Sequence, residues 1–330
     1  MKKHFVALSI GIVLLAALVT DFNTKIYRQP GRVIQWDVID YYGYLPAVFI
    51  YHDITLQFQD HYKGAHHFVF WAKKTATGKY VFKMTMGLSF LYAPFFLVAN
   101  QLAAHYGFDP GGYSAPYQLA IVLAALFYLA LGLIFLAKVL RFYFSKRTTG
   151  FTLLAIGLGT NLFWYTSLEP GMPHVYDFAL ASAFLYLVIV WYQKINFWRS
   201  LLLGLVLGLL TLIRPVNVLF GIFFLLYGIY DTEGFRRRWS LYKTKFHYLI
   251  LIAIFAFLVL VPQMIYWKTV TGNWIYYSYG DQGFFFLNPH LTDVLFSFRK
   301  GWFIYTPVMI FAVLGIYLLF RNNKAFFLPV

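Results

Sequence analysis

Two carboxylates three residues apart are the groups in this chain best suited to proton transfer, in Trp36-Asp37-Val38-Ile39-Asp40-Tyr41-Tyr42-Gly43-Tyr44-Leu45-Pro46. On a short helix, positions 37, 40, 41 and 44 share one face, so Asp37, Asp40, Tyr41 and Tyr44 would line it together. Val38, Ile39, Tyr42 and Leu45 would then rest on a membrane, and Pro46 would bend or end the helix. A carboxylate held this way can take the proton of an attacking hydroxyl. An Asp beside a membrane anchor can also simply cap a helix, which is the role expected of Asp53.

Cations stand further along. Lys83, in Lys83-Met84-Thr85-Met86-Gly87, could neutralise a phosphate or snorkel to an interface. Arg214-Pro215 interrupts an apolar run, and a cation there is costly enough to imply either a function or a buried partner such as Asp177. Glu169-Pro170-Gly171-Met172-Pro173-His174 reads as a tight turn between two apolar segments. A last polar stretch holds Tyr276-Tyr277-Ser278-Tyr279 and then Arg299-Lys300, beside Trp and Tyr residues that commonly form an interfacial belt.

Other chemistries are poorly served. His52, His61, His66, His67 and His290 have no convincing ligand spacing, so no metal is assigned. There is no cysteine, and neither a phosphate-binding P-loop nor a dinucleotide fingerprint. The net charge of +15 does not point to nucleic acid, because the basic residues fall between apolar runs and form no continuous patch.

The elements that must position these groups are helices. The 330 residues are 61% hydrophobic and 12% charged, with 37 Phe, 27 Tyr and 9 Trp. Soluble domains carry about 25% charged residues, so the composition excludes a soluble globular protein; it equally excludes a disordered chain. Apolar runs occupy roughly 5–20, 84–105, 117–137, 149–168, 175–193, 200–230, 247–266 and 303–320, without the alternation of a barrel. The first run follows Met1-Lys2-Lys3-His4 and lacks a clear cleavage site, so it is read as an anchor.

Basic clusters at Lys2/Lys3, 138–147, 194–199, 236–245 and 321–324 collect fifteen of the 27 Lys and Arg residues, which marks them as cytosolic. Parity then makes 84–105, bent at Pro94, an interfacial helix, and makes 200–230 a pair of short helices turning at Arg214. The expectation is an all-α polytopic membrane protein with about eight crossings and both ends cytosolic. It forms a single transmembrane domain over 1–330, with external loops at about 21–116 and 267–302. No internal repeat is visible, and the closing Ala325-Phe326-Phe327-Leu328-Pro329-Val330 reads like the start of a further apolar run, as in a chain missing its C-terminal part.

These residues resemble the GT-C superfamily of membrane glycosyltransferases, and within it the bacterial relatives of protein O-mannosyltransferases and aminoarabinose lipid A transferases. In that superfamily the first external loop opens with an acidic motif, often Asp-Glu-x-x-Tyr. Asp37-Val38-Ile39-Asp40-Tyr41 is similar, with Val38 in place of the second acid. Lys83-Met84-Thr85-Met86-Gly87 is similar to the segment opening the family's juxtamembrane helix but lacks its proline, and Leu212-Ile213-Arg214-Pro215 is similar to its paired short helices. The segments 169–174 and 297–307 also resemble bacterial members, so the likeness runs in order along most of the chain.

The resemblance implies transfer of a sugar from a polyprenyl-phosphate carrier to a lipid, glycan or protein acceptor. It places the site on the external, periplasmic side of a bacterial inner membrane, among membrane lipids. It casts Asp37 as general base with Asp40 beside it, and Lys83, Arg214 and Arg299 on the phosphate. Tyr41, Tyr279, His174 and Glu169 complete the expected substrate contacts, and the transfer would invert the anomeric centre. Two other classes remain open: a lipid or solute transporter, which would favour repeated bundles and midplane polar residues, and a catalytically inactive membrane scaffold.

Overall fold

The computed structural model describes residues 4–61, 72–280, 283 and 287–322. Lys2, Lys3, His66, His67, Lys324 and the closing 325–330 segment lie outside the described residues. α1 (Phe5–Thr24) leads through a 3-10 turn, Ile26–Arg28, to two short helices, α2 (Asp37–Tyr42) and α3 (Tyr44–Phe49). A second 3-10 turn (Gln57–His61) and a minimal antiparallel hairpin, β1 (Lys73–Lys74) with β2 (Tyr80–Val81), precede α4 (Gly87–His105). Next come α5 (Ala115–Arg141), α6 (Lys146–Gly159), α7 (Asn161–Ser167), α8 (His174–Gln193) and α9 (Phe197–Ile213). After a 3-10 turn at Pro215–Leu219 follow α10 (Phe220–Leu226), α11 (Thr232–Thr244), α12 (Phe246–Thr271), α13 (Leu291–Phe296), α14 (Trp302–Tyr305) and α15 (Met309–Asn322).

Five described helical segments are long and apolar enough to cross a membrane: Phe5–Arg28, Gly87–His105, Ala115–Arg141, His174–Gln193 and Phe246–Thr271. Phe197–Ile213, Pro215–Leu226 and Met309–Leu319 are apolar but shorter. The 149–168 run is two helices, because Thr160 adopts extended backbone and its hydroxyl accepts the Leu162 N–H at 3.2 Å. The count of full-length apolar helices is therefore five, and it includes α4, whose run the charge parity had assigned to the interface.

Between apolar helices in lipid there is little hydrophobic drive, so close packing must supply the attraction. Gly204 and Gly208 lie one turn apart on α9, and a Cβ on either would come within 2.6 Å of a carbonyl oxygen of Ile252 or Ala256 on α12. Gly150 and Gly157 let α6 approach Phe5 and Val13 of α1 in the same way.

The bundle has two chemically different ends. At one, Tyr143 and Tyr227 share a 2.5 Å hydroxyl contact, Tyr192 and Tyr242 one of 2.7 Å, and the Arg238 guanidinium stacks 3.5 Å from the Tyr192 ring centroid. α9 leaves this basic end at Phe197 and reaches Arg214 at the other. Pro215–Leu226 then returns to Tyr227, as the pre-proline Arg214 is extended (φ −142°, ψ 121°) and ends the helix. Both ends of α4 lie on the Arg214 side: Gly87 abuts Leu212 and Ile213, while Asn100 accepts the Tyr117 hydroxyl near the start of α5 at 2.7 Å.

The face of α2 expected to rest on lipid is instead enclosed by protein. Val38, Ile39, Tyr42 and Leu45 are all under 5% exposed. Val38 fits against Gly171, and the Tyr42 hydroxyl donates to the Gly112 carbonyl at 2.5 Å among the rings of Tyr92, Phe96 and Tyr113. The break falls at Gly43, where a Cβ would strike the Phe82 ring, and Pro46 sits harmlessly in the first turn of α3. Tyr44 consequently joins a separate cluster with Phe82 and Tyr266. Many tyrosines are thus core residues whose hydroxyls satisfy loop carbonyls: Tyr92 donates to Gly171 at 2.5 Å and Tyr176 to Pro170 at 2.9 Å.

Candidate functional site

The Arg214 end gathers polar side chains from five separate stretches. Helix α2 contributes Asp37, Asp40 and Tyr41. The segment before α4 contributes Lys83, the turn after α9 contributes Arg214, and the start of α8 contributes His174 and Asp177; Tyr279 comes from the stretch after α12.

Asp40 is 2% exposed, and its Oδ2 accepts the Lys83 N–H at 3.1 Å. Its Oδ1 makes no hydrogen bond of standard geometry. Burial is the main reason its carboxyl is pushed up to about 7, with the neighbouring Asp37 charge adding to the rise; the Lys83 and Met84 N–H groups and the Lys83 charge oppose it. Asp37 opens the helix, is exposed, and borders a cavity of about 140 Å³ with Arg32, Gln35, Trp36, Glu169 and Met172. The two acids therefore divide into one open to solvent and one sealed.

Arg214 is half-buried and central. Its charge acts on Tyr41, Tyr279, Tyr165, His174 and Asp177. Burial raises the Tyr41 phenol well above its usual range despite this guanidinium, so Tyr41 stays a neutral donor. Asp177 faces the same cation but is also held by Asn217, whose Nδ2 donates to it at 3.0 Å and to the Leu210 carbonyl at 3.1 Å. That link braces the Arg214 turn.

Lys83 reaches over the Tyr279 ring, its Nζ 5.3 Å from the centroid. The neighbouring Ser278 hydroxyl donates to the Lys83 carbonyl, and the Tyr279 hydroxyl points to the Met84 sulfur at 3.4 Å. α12 supports this segment from behind, since the Phe82 N–H donates to the Tyr266 hydroxyl at 3.0 Å and the Met86 N–H to Gln263 at 2.8 Å. Thr85 closes the join by donating to the Leu212 carbonyl at 2.5 Å.

His174 stacks on Tyr165 with centroids 3.7 Å apart, and Glu169 stands on the wall of the Asp37 cavity. Arg299 is exposed, and its side chain forms no hydrogen bond or ion pair with this cluster among the described residues; its neighbour Lys300 contributes the second cationic field at His174. Among the described residues no three His, Cys, Asp or Glu side chains are grouped to hold a metal ion. His290 pairs with Asp293 at 3.5 Å, and Asp53 accepts the Thr55 and Phe58 N–H groups in a turn cap.

Sequence reasoning passed over Arg32, Trp36 and Tyr165, and it weighed Lys300 with Arg299 only as a phosphate or interface cation, not as a neighbour of His174. Arg32 and Trp36 lie in a loop, which shows no periodicity from which to place them, and Tyr165 sits on α7 within an otherwise apolar run. The strain at Trp36, a residue 66% exposed beside Asp37 whose φ is +51°, appears only in three dimensions. No protein-family model matches this chain, and neither a curated protein nor a solved structure matches it. The molecule is a predominantly helical protein with five described helical segments long and apolar enough to cross a membrane, and with a polar, mixed-charge cluster at one end of its bundle.

Proposed function

We propose that the chain is a GT-C-like glycosyltransferase that moves a sugar from a polyprenyl-phosphate carrier to an acceptor at the noncytosolic face of a bacterial plasma membrane. The observation that carries this reading is the meeting of an acid pair, Asp37 and Asp40, with two cations, Lys83 and Arg214, around the Tyr41 and Tyr279 rings. An acid open to a cavity beside a half-buried cation suits a substrate with a hydroxyl to deprotonate and a phosphate to hold.

In the proposed reaction the acceptor oxygen attacks the anomeric carbon as the bond from that carbon to the phosphate oxygen breaks. The acceptor proton passes to Asp37, and the electron pair leaves with the polyprenyl phosphate. Lys83 and Arg214 stabilise the leaving group, and Tyr41 donates from a fixed position. Asp40 acts through the backbone, holding the Lys83 segment against α2. The single displacement inverts the anomeric centre.

The accompanying topology has eight crossings, made by α1, α5, the α6–α7 pair, α8, α9, Pro215–Leu226, α12 and α15. α4 lies along the outer interface, a placement supported by the position of both its ends beside the Arg214 side of the bundle. The chain has no cysteine, so single cysteines report cleanly. Asp60→Cys should react with an impermeant thiol reagent in intact cells, and Arg237→Cys only after permeabilisation; labelling in the opposite sense removes the site from the donor's side. Activity is tested by incubating the purified chain with a panel of polyprenyl-phosphate sugars and measuring release of the free lipid phosphate. Release with no member of the panel, by folded protein given mixed lipid, glycan and peptide acceptors, defeats the proposal.

A further inference from the structure

The other end of the bundle carries a second feature with its own chemistry. Between α1 and α5 lies an open groove of about 590 Å³, bordered by His4, Lys138 and Arg141 at its rim and by Val6, Ile10 and Ile134 below. α1 enters the bundle from this end and α5 finishes here, so His4, just before α1, borders the same groove as Lys138 and Arg141 of α5. At 1.5 Å per residue, Ile10 lies about 9 Å below His4 and Ile134 about 10 Å below Arg141. The groove is therefore cationic at its mouth and apolar for roughly the depth of half an acyl chain.

No acidic residue borders it. Among the described residues the ion pairs are Arg237 with Glu233 and His290 with Asp293, so neither Lys138 nor Arg141 is neutralised by a carboxylate. Lys138 is instead held between aromatic rings, its Nζ 5.3 Å from the Phe135 centroid and 5.2 Å from that of Tyr186. Arg141 uses one guanidinium nitrogen on the Phe144 carbonyl, which anchors the group, and the residue is otherwise exposed. Two oriented cations above an apolar trough match a phosphodiester joined to a hydrocarbon chain.

We infer that this groove binds one anionic phospholipid, its headgroup phosphate on Lys138 and Arg141 and an acyl chain laid over Val6, Ile10 and Ile134. Free phosphate fits the rim but leaves the trough uncovered, and a zwitterionic lipid brings its own cation against Lys138 and Arg141. The inference is independent of the glycosyltransferase reading, since it concerns the opposite end of the bundle.

The test is native mass spectrometry of the full chain in detergent, titrated with phosphatidylglycerol or phosphatidylcholine. Phosphatidylglycerol should be retained at one per chain in preference to phosphatidylcholine, each cation contributing about five-fold in affinity. Lys138→Gln with Arg141→Gln should remove most of this preference, while Arg236→Gln with Arg237→Gln, on exposed α11, should keep it. Ala7→Phe, which narrows the trough without touching a charge, should also lower retention; all variants are compared at equal folded yield by size exclusion. Equal retention of the two lipids, equal loss in the α11 control, or displacement of phosphatidylglycerol by equimolar glycerol 3-phosphate overturns the inference.

Discussion

The carboxylate of Asp40 accepts the backbone N–H of Lys83 at 3.1 Å across 43 residues of sequence, and together with the Tyr44 hydroxyl on the Met84 carbonyl this bond seats the acidic helix against the segment that carries the cation. Because the bond uses the backbone, the Lys83 side chain remains free to lean over Tyr279. A sealed acid thus does positional work while the exposed acid one turn away, Asp37, faces the cavity.

That division predicts different costs for the two acids. Asp37→Asn keeps size and hydrogen bonding but removes the base, and transfer should fall roughly 10²–10⁴-fold. Donor-lipid binding should survive, because Lys83 and Arg214 hold the phosphate. Asp40→Asn retains an oxygen for the Lys83 N–H and should cost less, whereas Asp40→Ala should lower folded yield as well. Steady-state transfer and donor binding separate these cases; a larger loss from Asp40→Asn than from Asp37→Asn would show that the base is the buried acid.

Arg214 has both a substrate-facing and a structural reading, and they differ in what rescues the variant. For a phosphate-holding role, Arg214→Lys should keep part of the activity and Arg214→Met almost none, with normal folded yield in both. If Arg214 serves only to balance Asp177, Arg214→Met should lose folded protein and Asp177→Asn should restore it. Yield by size exclusion and transfer rate, measured on the same preparations, decide between them.

Asp40 also sets a pH dependence of stability. Its carboxyl lies near 3.8 when unfolded and about 7 when folded, so between those values the folded chain binds more protons than the unfolded one. Stability contributed by this group is therefore greatest below about pH 4 and declines as pH rises towards 7, by up to about 4 kcal/mol. Thermal unfolding in detergent at pH 5 and pH 8 should show a larger loss for the wild type than for Asp40→Asn. Equal losses would mean that Asp40 is ionised in the folded chain at both pH values.

Gly87 tests whether the Lys83 segment is positioned by close backbone contact. A Cβ there would lie 2.4 Å from the Ile213 nitrogen, whereas one at Gly11 meets nothing within 4 Å. Gly87→Ala should destabilise the chain by about 1–3 kcal/mol, the usual cost of overpacking, and slow transfer by displacing Lys83 relative to Arg214. Gly11→Ala, inside α1 with open space around it, should not destabilise the chain and should leave transfer unchanged.

The apolar runs and the low charge were sufficient to establish a helical chain with membrane-length segments, because hydrophobic length is a local property that needs no knowledge of packing. The turn at Arg214-Pro215 was legible for a similar reason, since proline restricts the residue before it. Helical spacing put Asp37, Asp40 and Tyr41 on one short element, but it could not tell which acid would be sealed. Burial of Asp40 depends on Lys83 and α4, contributed from more than forty residues away. The same limit hid Lys300 beside His174, the Asn217 brace on Asp177, and the enclosure of Val38 and Tyr42 by protein where periodicity alone pointed to lipid. An apolar face reads identically in sequence whether lipid or another helix covers it. Only the tertiary packing, set here by close approaches at Gly87, Gly171, Gly204 and Gly208, decides which.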